Sequence, residues 1–235
     1  KRLVGQKPAE VLGEAGDVDA AFASGKTVEA LYSYHYVSHA DLEPQNCTAW
    51  FKGGSVEIWA PTQTPQAAVD AVAKLVSLPK EKVLLHQLRG GGGFGRRLAN
   101  DSVCEAVLIS KQAGGVPVKV QWTREDDMTF DYYRAGGFQA LKASVDPAGK
   151  LSGWQNHLIT FTMDGKTPVS AGNIDKAEFP ANVLANQRMT QSLIPSKIPT
   201  GSWRAPGSNV IAFCIQSFLN ECSVAAQRDD VDFLV

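Results

Sequence analysis

A run of four glycines, Gly90 to Gly93, followed by Phe94 and Gly95, constrains this chain more than any other feature. Glycine has no Cβ and loses the most conformational freedom on folding, so the run predicts a loop rather than a helix or strand interior. The loop lies between a short strand predicted at 82–88 and a helix predicted at about 98–113. Backbone N–H groups in such a loop can approach a ligand closely and hold an anion at a helix N-terminus. Arg96 and Arg97 add charge that can bind phosphate oxygens. The alternative is a flexible surface loop with two solvated arginines.

The glycine spacing alone does not identify the ligand. Gly90, Gly92 and Gly95 satisfy the G-x-G-x-x-G pattern of dinucleotide-binding folds. Those folds also place a carboxylate about 20 residues further on. The corresponding region, 114–117, has no carboxylate. A P-loop is excluded because no Gly-Lys-Ser or Gly-Lys-Thr follows the glycines.

Strand and helix patterns alternate along the rest of the chain. Strands are predicted at 28–36, 46–52, 55–60, 116–122, 138–145 and 151–162, and further helices at 65–77 and 209–227 with Ser208 as the N-cap of the last. This order predicts an α+β fold with helices packed on mixed sheets. Residues 1–27 are interpreted as a connecting segment, and residues 28–235 as one domain or two closely packed subdomains.

Composition excludes several classes of protein. Lys and Arg total 23 against 24 Asp and Glu, a net charge of −1, so a diffuse basic face for nucleic acid is not predicted. No stretch of about 18 apolar residues is present, and no membrane span is predicted. The four cysteines lack histidines at ligand spacing, so buried free thiols are favoured over a zinc site.

Three further segments accompany the glycine loop. They are Leu-Glu-Pro-Gln-Asn-Cys-Thr-Ala at 42–49, Trp-Ala-Pro-Thr-Gln at 59–63, and Gly-Ser-Trp-Arg-Ala-Pro-Gly-Ser-Asn at 201–209. In this order, from about Gly16 onward, the chain strongly resembles the molybdenum-binding subunit of the xanthine oxidase family. The likeness is greatest to the beta subunit of isoquinoline 1-oxidoreductase and to bacterial molybdenum aldehyde dehydrogenases.

The resemblance implies a molybdenum hydroxylase that oxidises N-heterocycles or aldehydes with water-derived oxygen. The family binds molybdenum through the dithiolene of a pterin cofactor, in bacteria commonly the cytosine dinucleotide form. Electrons leave through iron–sulfur clusters on a small partner subunit. Members of this branch are often exported, which favours the periplasm over the cytoplasm.

The resemblance also assigns site residues. Gln63 matches a glutamine whose amide donates to an oxo ligand of molybdenum; the alternative is a surface glutamine that caps the helix beginning at Pro65. The cofactor-binding positions are Gly92, Gly93, Phe94, Gly95, Arg96, Arg204 and Ala205. Trp203 and Arg134 are candidates for the substrate pocket, although Trp203 is equally consistent with core packing. Glu43 is interpreted as a buried structural carboxylate. No residue is predicted to ligate the metal directly.

The family's general base is a glutamate in a Gly-Val-Gly-Glu segment near its far C-terminus, and no such segment follows Asn209. We therefore expect a piece of a longer polypeptide that is inactive and free of cofactor without its remaining half. Two other hypotheses stay open: a nucleotide-binding module that uses the glycine loop alone, and a noncatalytic scaffold domain.

Overall fold

The computed structural model describes residues 8–234, and the chain divides into two compact units. Unit 1 contains the residues up to Val37, then Arg134–Ile198, and those from Ala205 onward. Unit 2 contains Ser38–Tyr133 and the short segment Pro199–Arg204. Unit 2 is therefore assembled from two pieces of chain that are distant in sequence.

Nine strands and six α-helices are present among the described residues. The strands are β1 (Glu10–Ala15), β2 (Lys26–Tyr34), β3 (Asn46–Phe51), β4 (Val56–Ala60), β5 (Val83–Gln87), β6 (Val118–Gln121), β7 (Gly137–Val145), β8 (Leu151–Thr162) and β9 (Gln187–Pro195). The helices are α1 (Val18–Ser24), α2 (Pro65–Val76), α3 (Asp101–Gln112), α4 (Arg124–Thr129), α5 (Ser208–Ala226) and α6 (Asp230–Leu234). Mixed sheets with packed helices confirm the predicted α+β fold.

Unit 1 is a five-stranded sheet in the order β1-β9-β8-β7-β2. Its pairs are antiparallel except β8 with β9, which run parallel. Helix α5 packs on β2 and β7. Its apolar residues recur every three or four positions, and Phe218 is fully buried against Trp154 with ring centroids 5.4 Å apart. This packing forms the core of unit 1.

Helix α5 is the one helix within residues 8–234 that is long and apolar enough to cross a bilayer by length and composition. Eight of its residues are buried, and six of these, including Cys214, Phe218 and Cys222, belong to the hydrophobic core of unit 1. A buried core helix meets the same length and composition test as a membrane span. The packing of α5 is therefore enough to account for its hydrophobicity.

Unit 2 is a four-stranded sheet in the order β5-β4-β3-β6, antiparallel except for the parallel pair β4 and β5. Helix α2 starts with Pro65 in its first turn, where a missing N–H costs nothing. Its Ala68, Val72 and Val76 are buried in a cluster shared with Ala49, Ile58 and Ala106 of β3, β4 and α3. The α2–α3 layer therefore covers one face of the sheet.

The structure differs from the sequence prediction at several places. Within the segment interpreted as connecting, residues 10–15 and 18–24 form β1 and α1, while residues 1–7 lie outside the described residues. The predictions did not include β9, α4 or α6. The N-cap of α5 is Gly207, with φ +76°, and Ser208 is the first helical residue.

The cysteines match the prediction of free thiols. Cys47, Cys214 and Cys222 are buried, and Cys104 is half-buried. Burial raises the pKa of each of the three buried thiols to about 12, so they remain protonated at neutral pH.

Candidate functional site

The glycine loop connects β5 to α3 in unit 2. A 3₁₀ turn over Arg96–Leu98 separates it from α3, which begins only at Asp101. The predicted start of this helix at about 98 was therefore too early. The glycines therefore do not lie at the N-terminus of α3. The prediction that they hold a phosphate at that helix end is wrong.

Three residues of the loop have backbone angles in the left-handed region. Gly92 and Gly95 have φ of +109° and +111°, and Phe94 has φ +48° with a half-exposed side chain. A Cβ added at Gly95 would lie 1.8 Å from the carbonyl oxygen of Ser202. Glycine is required at position 95 both for its backbone angle and for this close approach.

Polar side chains rather than apolar ones hold the loop in place. The Gly91 N–H donates to the carboxylate of Glu43, and the Glu43 N–H donates back to the Gly91 carbonyl at 3.2 Å. Arg97 Nε donates to the Gly92 carbonyl at 2.8 Å. Burial alone would raise the pKa of Glu43, but hydrogen bonds from Gly91 and Asn46 outweigh it and lower that pKa below its usual range. The half-buried Glu43 is thus a structural carboxylate that anchors the loop.

Replacing Glu43 with alanine should loosen the loop, because the Gly91 N–H loses its charged acceptor. We expect exchange of the Gly91 amide hydrogen to accelerate about tenfold or more, as measured by NMR. Since the Glu43 pKa is lowered on folding, its stabilising contribution is present above the unfolded-state pKa and is lost as pH falls through the lower folded value. Glu43→Gln keeps one acceptor and serves as the control. Equal exchange rates in Glu43→Ala and the wild type would contradict the anchoring role.

Gln63 follows β4 and lies across the loop. The Gly95 N–H donates to Gln63 Oε1 at 3.0 Å, and a Cβ added at Gly93 would come within 2.6 Å of the same oxygen. Because an N–H can only donate, it fixes which end of the Gln63 amide faces Gly95. The amide NH₂ is directed elsewhere and, among the described residues, donates to no protein acceptor. Thr64, not Gln63, occupies the N-cap of α2, so the alternative interpretation of Gln63 as a helix cap does not hold.

Gln63 and the loop line one open cavity of about 320 Å³. Its lining residues all belong to unit 2: Pro61, Thr62, Gln63, Gln87, Leu88, Gly90, Gly92, Gly93, Phe94 and Arg97. Within residues 8–234, the N–H groups of Gly92, Gly93 and Phe94 donate to no protein acceptor, whereas those of Gly91, Gly95 and Arg96 do. Three of the lining residues, Gly92, Gly93 and Phe94, therefore have backbone N–H groups without a protein acceptor, and no carboxylate is among the lining residues. We call these three residues and Gln63 the donor wall.

The arginines next to the loop do not serve as predicted. Arg96 is 1% exposed; its guanidinium pairs with Asp101 at 2.8 Å and Asp131 at 3.2 Å, and it stacks over the rings of Trp122 and Tyr132. Arg97 is also buried and binds backbone carbonyls. Both guanidinium groups are occupied inside the protein, so neither can bind phosphate as expected. Arg96 contacts the loop through its backbone, because its N–H donates to the Gly93 carbonyl.

The second part of unit 2, residues 199–204, reaches the same loop. The Tyr133 N–H donates to the Pro199 carbonyl, and the Gly201 N–H donates to the Tyr133 carbonyl, each at 3.1 Å. The next residue, Ser202, places its carbonyl oxygen against Gly95. Trp203 is half-buried and Arg204 is exposed. The structure thus brings the segment that contains Trp203 and Arg204 to the glycine loop.

The remaining predicted site residues, Ala205 and Arg134, lie in unit 1. Ala205 is exposed and has φ +56°, a strained angle for a residue with a Cβ. Arg134 donates to Asn209 Oδ1 at 3.0 Å and to the His35 carbonyl at 2.8 Å. Burial lowers the pKa of Arg134. These bonds give Arg134 a structural role within unit 1.

The comparisons with known proteins agree with this geometry. The model of the molybdopterin cofactor-binding domain matches residues 4–233. The chain belongs to this family. The resemblance to the molybdenum-binding subunit of the xanthine oxidase family is thereby confirmed.

Two relatives and one solved structure illustrate the family. A membrane-bound aldehyde dehydrogenase (pyrroloquinoline-quinone) of Gluconacetobacter polyoxogenes is 30% identical over 92% of the chain and 30% of its own length. Isoquinoline 1-oxidoreductase subunit beta of Brevundimonas diminuta is 34% identical over 58% of the chain and 17% of its own. Quinoline 2-oxidoreductase of Pseudomonas putida 86 superposes with a TM-score of 0.77 over 98% of the chain and 32% of that chain, at 17% identity, which shows a shared fold. The molybdopterin cofactor-binding domain described here thus spans about a third or less of each.

The sequence did not predict a cluster of buried ionisable side chains next to the glycine loop. His39, Asp41 and Asp131 are each less than 10% exposed and lie around the arginines. Asp131 follows β6 and α4 in sequence and is brought to Arg96 only by the fold of unit 2. The His-x-Asp pair at 39–41, directly before the Glu43 motif, was the one local signal available.

Proposed function

We propose that this domain forms one wall of the cofactor pocket in a molybdenum-dependent oxidoreductase that acts on aldehydes or N-heterocycles. The observation that carries the proposal is the donor wall: Gly92, Gly93 and Phe94, whose backbone N–H groups have no protein acceptor, line the same cavity as Gln63. The names of the relatives, an aldehyde dehydrogenase and oxidoreductases of isoquinoline and quinoline, support the substrate class.

The donor set fits a molybdenum pterin, a group rich in oxygen and negative charge. Preorganised N–H groups stabilise such charge without reorganising when it develops. A side-chain amide adds a donor but no anion that would compete for the metal. When bound, the cofactor supplies two-electron redox chemistry. The residues of this chain bind and orient it, with Gln63 held in register by the Gly95 N–H.

Three finer points belong to the same proposal. The cofactor is the cytosine dinucleotide form of the pterin, and electrons pass to iron–sulfur clusters on a small partner subunit. The rest of the same polypeptide closes the pocket and supplies the general base. The 235-residue chain without that rest is therefore inactive and retains no cofactor.

The test is made on the product of the complete gene, expressed in a host that synthesises molybdenum cofactor. We expect stoichiometric molybdenum and pterin, together with oxidation of an aldehyde or of isoquinoline. Gln63→Leu should lower turnover roughly 10²-fold, the typical loss when one donor to developing charge is removed. Gln66→Leu, on the exposed side of α2, is the matched control and should leave turnover unchanged.

Two outcomes would contradict the proposal. Absence of molybdenum from the complete protein, with saturable NAD binding followed by fluorescence, would favour a nucleotide-binding module. Tightly bound cofactor without turnover of any aldehyde or azine would favour a scaffold domain.

A further inference from the structure

The ring of His39 lies between two acceptors in the interior of unit 2. His39 is 7% exposed. Its Nδ1 lies 2.9 and 3.2 Å from the two carboxylate oxygens of Asp131, and its Nε2 lies 3.0 Å from the Ser202 carbonyl oxygen. A carbonyl can only accept, and so can an ionised carboxylate. Both ring nitrogens must therefore carry a proton for both bonds to form, which makes the ring an imidazolium.

Asp131 is surrounded by donors, as an ionised carboxylate requires. Its Oδ2 accepts from the Ser38 hydroxyl at 2.7 Å and from the His39 backbone N–H at 2.5 Å. Its Oδ1 lies 3.2 Å from Arg96 Nε. Burial would raise the pKa of Asp131, but the bonds from His39 and Ser38 outweigh it and the pKa is lowered. The carboxylate at Nδ1 is thus an acceptor, not a donor.

The charges near His39 also favour its protonation. Burial alone lowers the pKa of His39, but the bonds to Asp131 and the Ser202 carbonyl, with the charges of Asp131 and Asp41, outweigh it and raise the pKa above its usual value. The opposing cations are Arg96, which shares Asp131 and pairs with Asp101, and Arg97, whose Nε is 3.9 Å from Asp41. Each of these guanidinium groups also lies close to a carboxylate, Asp101 for Arg96 and Asp41 for Arg97.

The carbonyl that His39 holds is the one that contacts the glycine loop. Ser202 O would lie 1.8 Å from a Cβ at Gly95, so the two backbones touch at this point. The hydrogen bonds to Tyr133 hold the segment at Pro199 and Gly201, and His39 holds it at Ser202. Of these bonds, only the one from His39 depends on a side chain that titrates.

We propose that His39 is a positioning residue, held as an imidazolium, whose Nε2–H keeps residues 199–204 seated against Gly95. The proposal rests on the function proposed above, because that segment includes Trp203 and Arg204. When the ring loses a proton, His39 keeps the Nδ1–H that it donates to Asp131, and the Nε2 lone pair then faces the Ser202 carbonyl. The attraction becomes a repulsion, and the segment loosens as pH rises through the His39 pKa.

The first test is NMR of the ¹⁵N-labelled 235-residue chain without cofactor. We expect the His39 ring to show two protonated nitrogens at pH 6 and to titrate above the ordinary histidine value of about 6.5. His157 is the internal reference: burial lowers its pKa, so it should titrate below the ordinary histidine value, on the opposite side from His39. A singly protonated His39 ring at pH 6 would overturn the proposal without any variant.

The second test is hydrogen exchange at the Gly201 and Tyr133 amides, expressed as protection factors. We expect protection to fall about tenfold across the His39 titration, the effect of losing one hydrogen bond from a charged donor. His39→Gln should show the same low protection at all pH values, while His86→Gln, which removes the partner of Glu57, should not alter it. Unchanged protection in His39→Gln would refute the role of His39. Neither measurement uses the cofactor, so a failure of the proposed function would be seen separately in the molybdenum content of the complete protein.

Discussion

Replacing Arg96 with methionine should destabilise unit 2 by about 3–5 kcal/mol, the usual effect of removing one partner of a buried ion pair. Methionine matches the volume of the arginine stem but leaves Asp131, 1% exposed, without its 3.2 Å contact to a guanidinium. It also removes the paired bonds to Asp101, at 2.9 and 2.8 Å. Urea unfolding followed by circular dichroism and by the fluorescence of Trp122, over which Arg96 stacks, measures the loss.

Arg188→Met is the matched control, because Arg188 also contacts two carboxylates, Glu14 and Asp19, but at the surface of unit 1. Exposed pairs are screened by water and contribute little. If both variants unfolded at the same urea concentration, the prediction that the buried ion pairs of Arg96 stabilise unit 2 would be wrong. Arg96→Lys should fall between the wild type and Arg96→Met, since it keeps the charge without the planar fork.

The second large effect is expected from Gly95→Ala. The new methyl group would overlap the Ser202 carbonyl, and φ of +111° is unfavourable for any residue with a Cβ. Backbone strain and overlap together should cost on the order of 3 kcal/mol or more. Either the loop or residues 199–204 must move, so exchange of the Gly201 amide should also accelerate.

Gly114→Ala separates the two causes. Gly114 has φ +84°, but a Cβ there would meet no atom within 4 Å. That variant should therefore lose only the backbone contribution, about 1–2 kcal/mol. Equal losses of unfolding free energy at the two positions would show that contact with Ser202 contributes nothing.

Strong periodicity made most of the fold predictable. Strand β2 has Val28, Ala30, Tyr32 and Tyr34 at alternate positions, and α5 has apolar residues at helical spacing, so both were located within about two residues. Strand β9 was not predicted because Thr190, Gln191 and Ser192 are buried polar residues, which hide the apolar alternation of a central strand. Helix α4 has only six residues, too few for a period, and its capping box of Thr123 and Asp126 was the sole local signal.

The site was predictable where it depends on backbone and on motif order. The glycine loop and Gln63 were selected from the sequence, and the structure places them at one cavity. The error at Arg96 has a physical origin: two adjacent arginines beside glycines suggest exposed charge, whereas Asp131 lies 35 positions later and only the fold brings it close. Long-range pairing of this kind leaves no local pattern.

The sheet of unit 1 has a consequence for biosynthesis. Strand β1 pairs with β9, across a separation of 181 residues between Glu10 and Gln191, so this edge cannot close until most of the chain has left the ribosome. The main piece of unit 2, Ser38–Tyr133, is contiguous and can assemble earlier. The glycine loop is therefore synthesised first. Its contact with the Ser202 carbonyl can form only after about a hundred further residues have been added. A nascent chain that stalls before that point would have the glycine loop without residues 199–204 packed against Gly95. We therefore expect cofactor to bind only after synthesis has passed this segment.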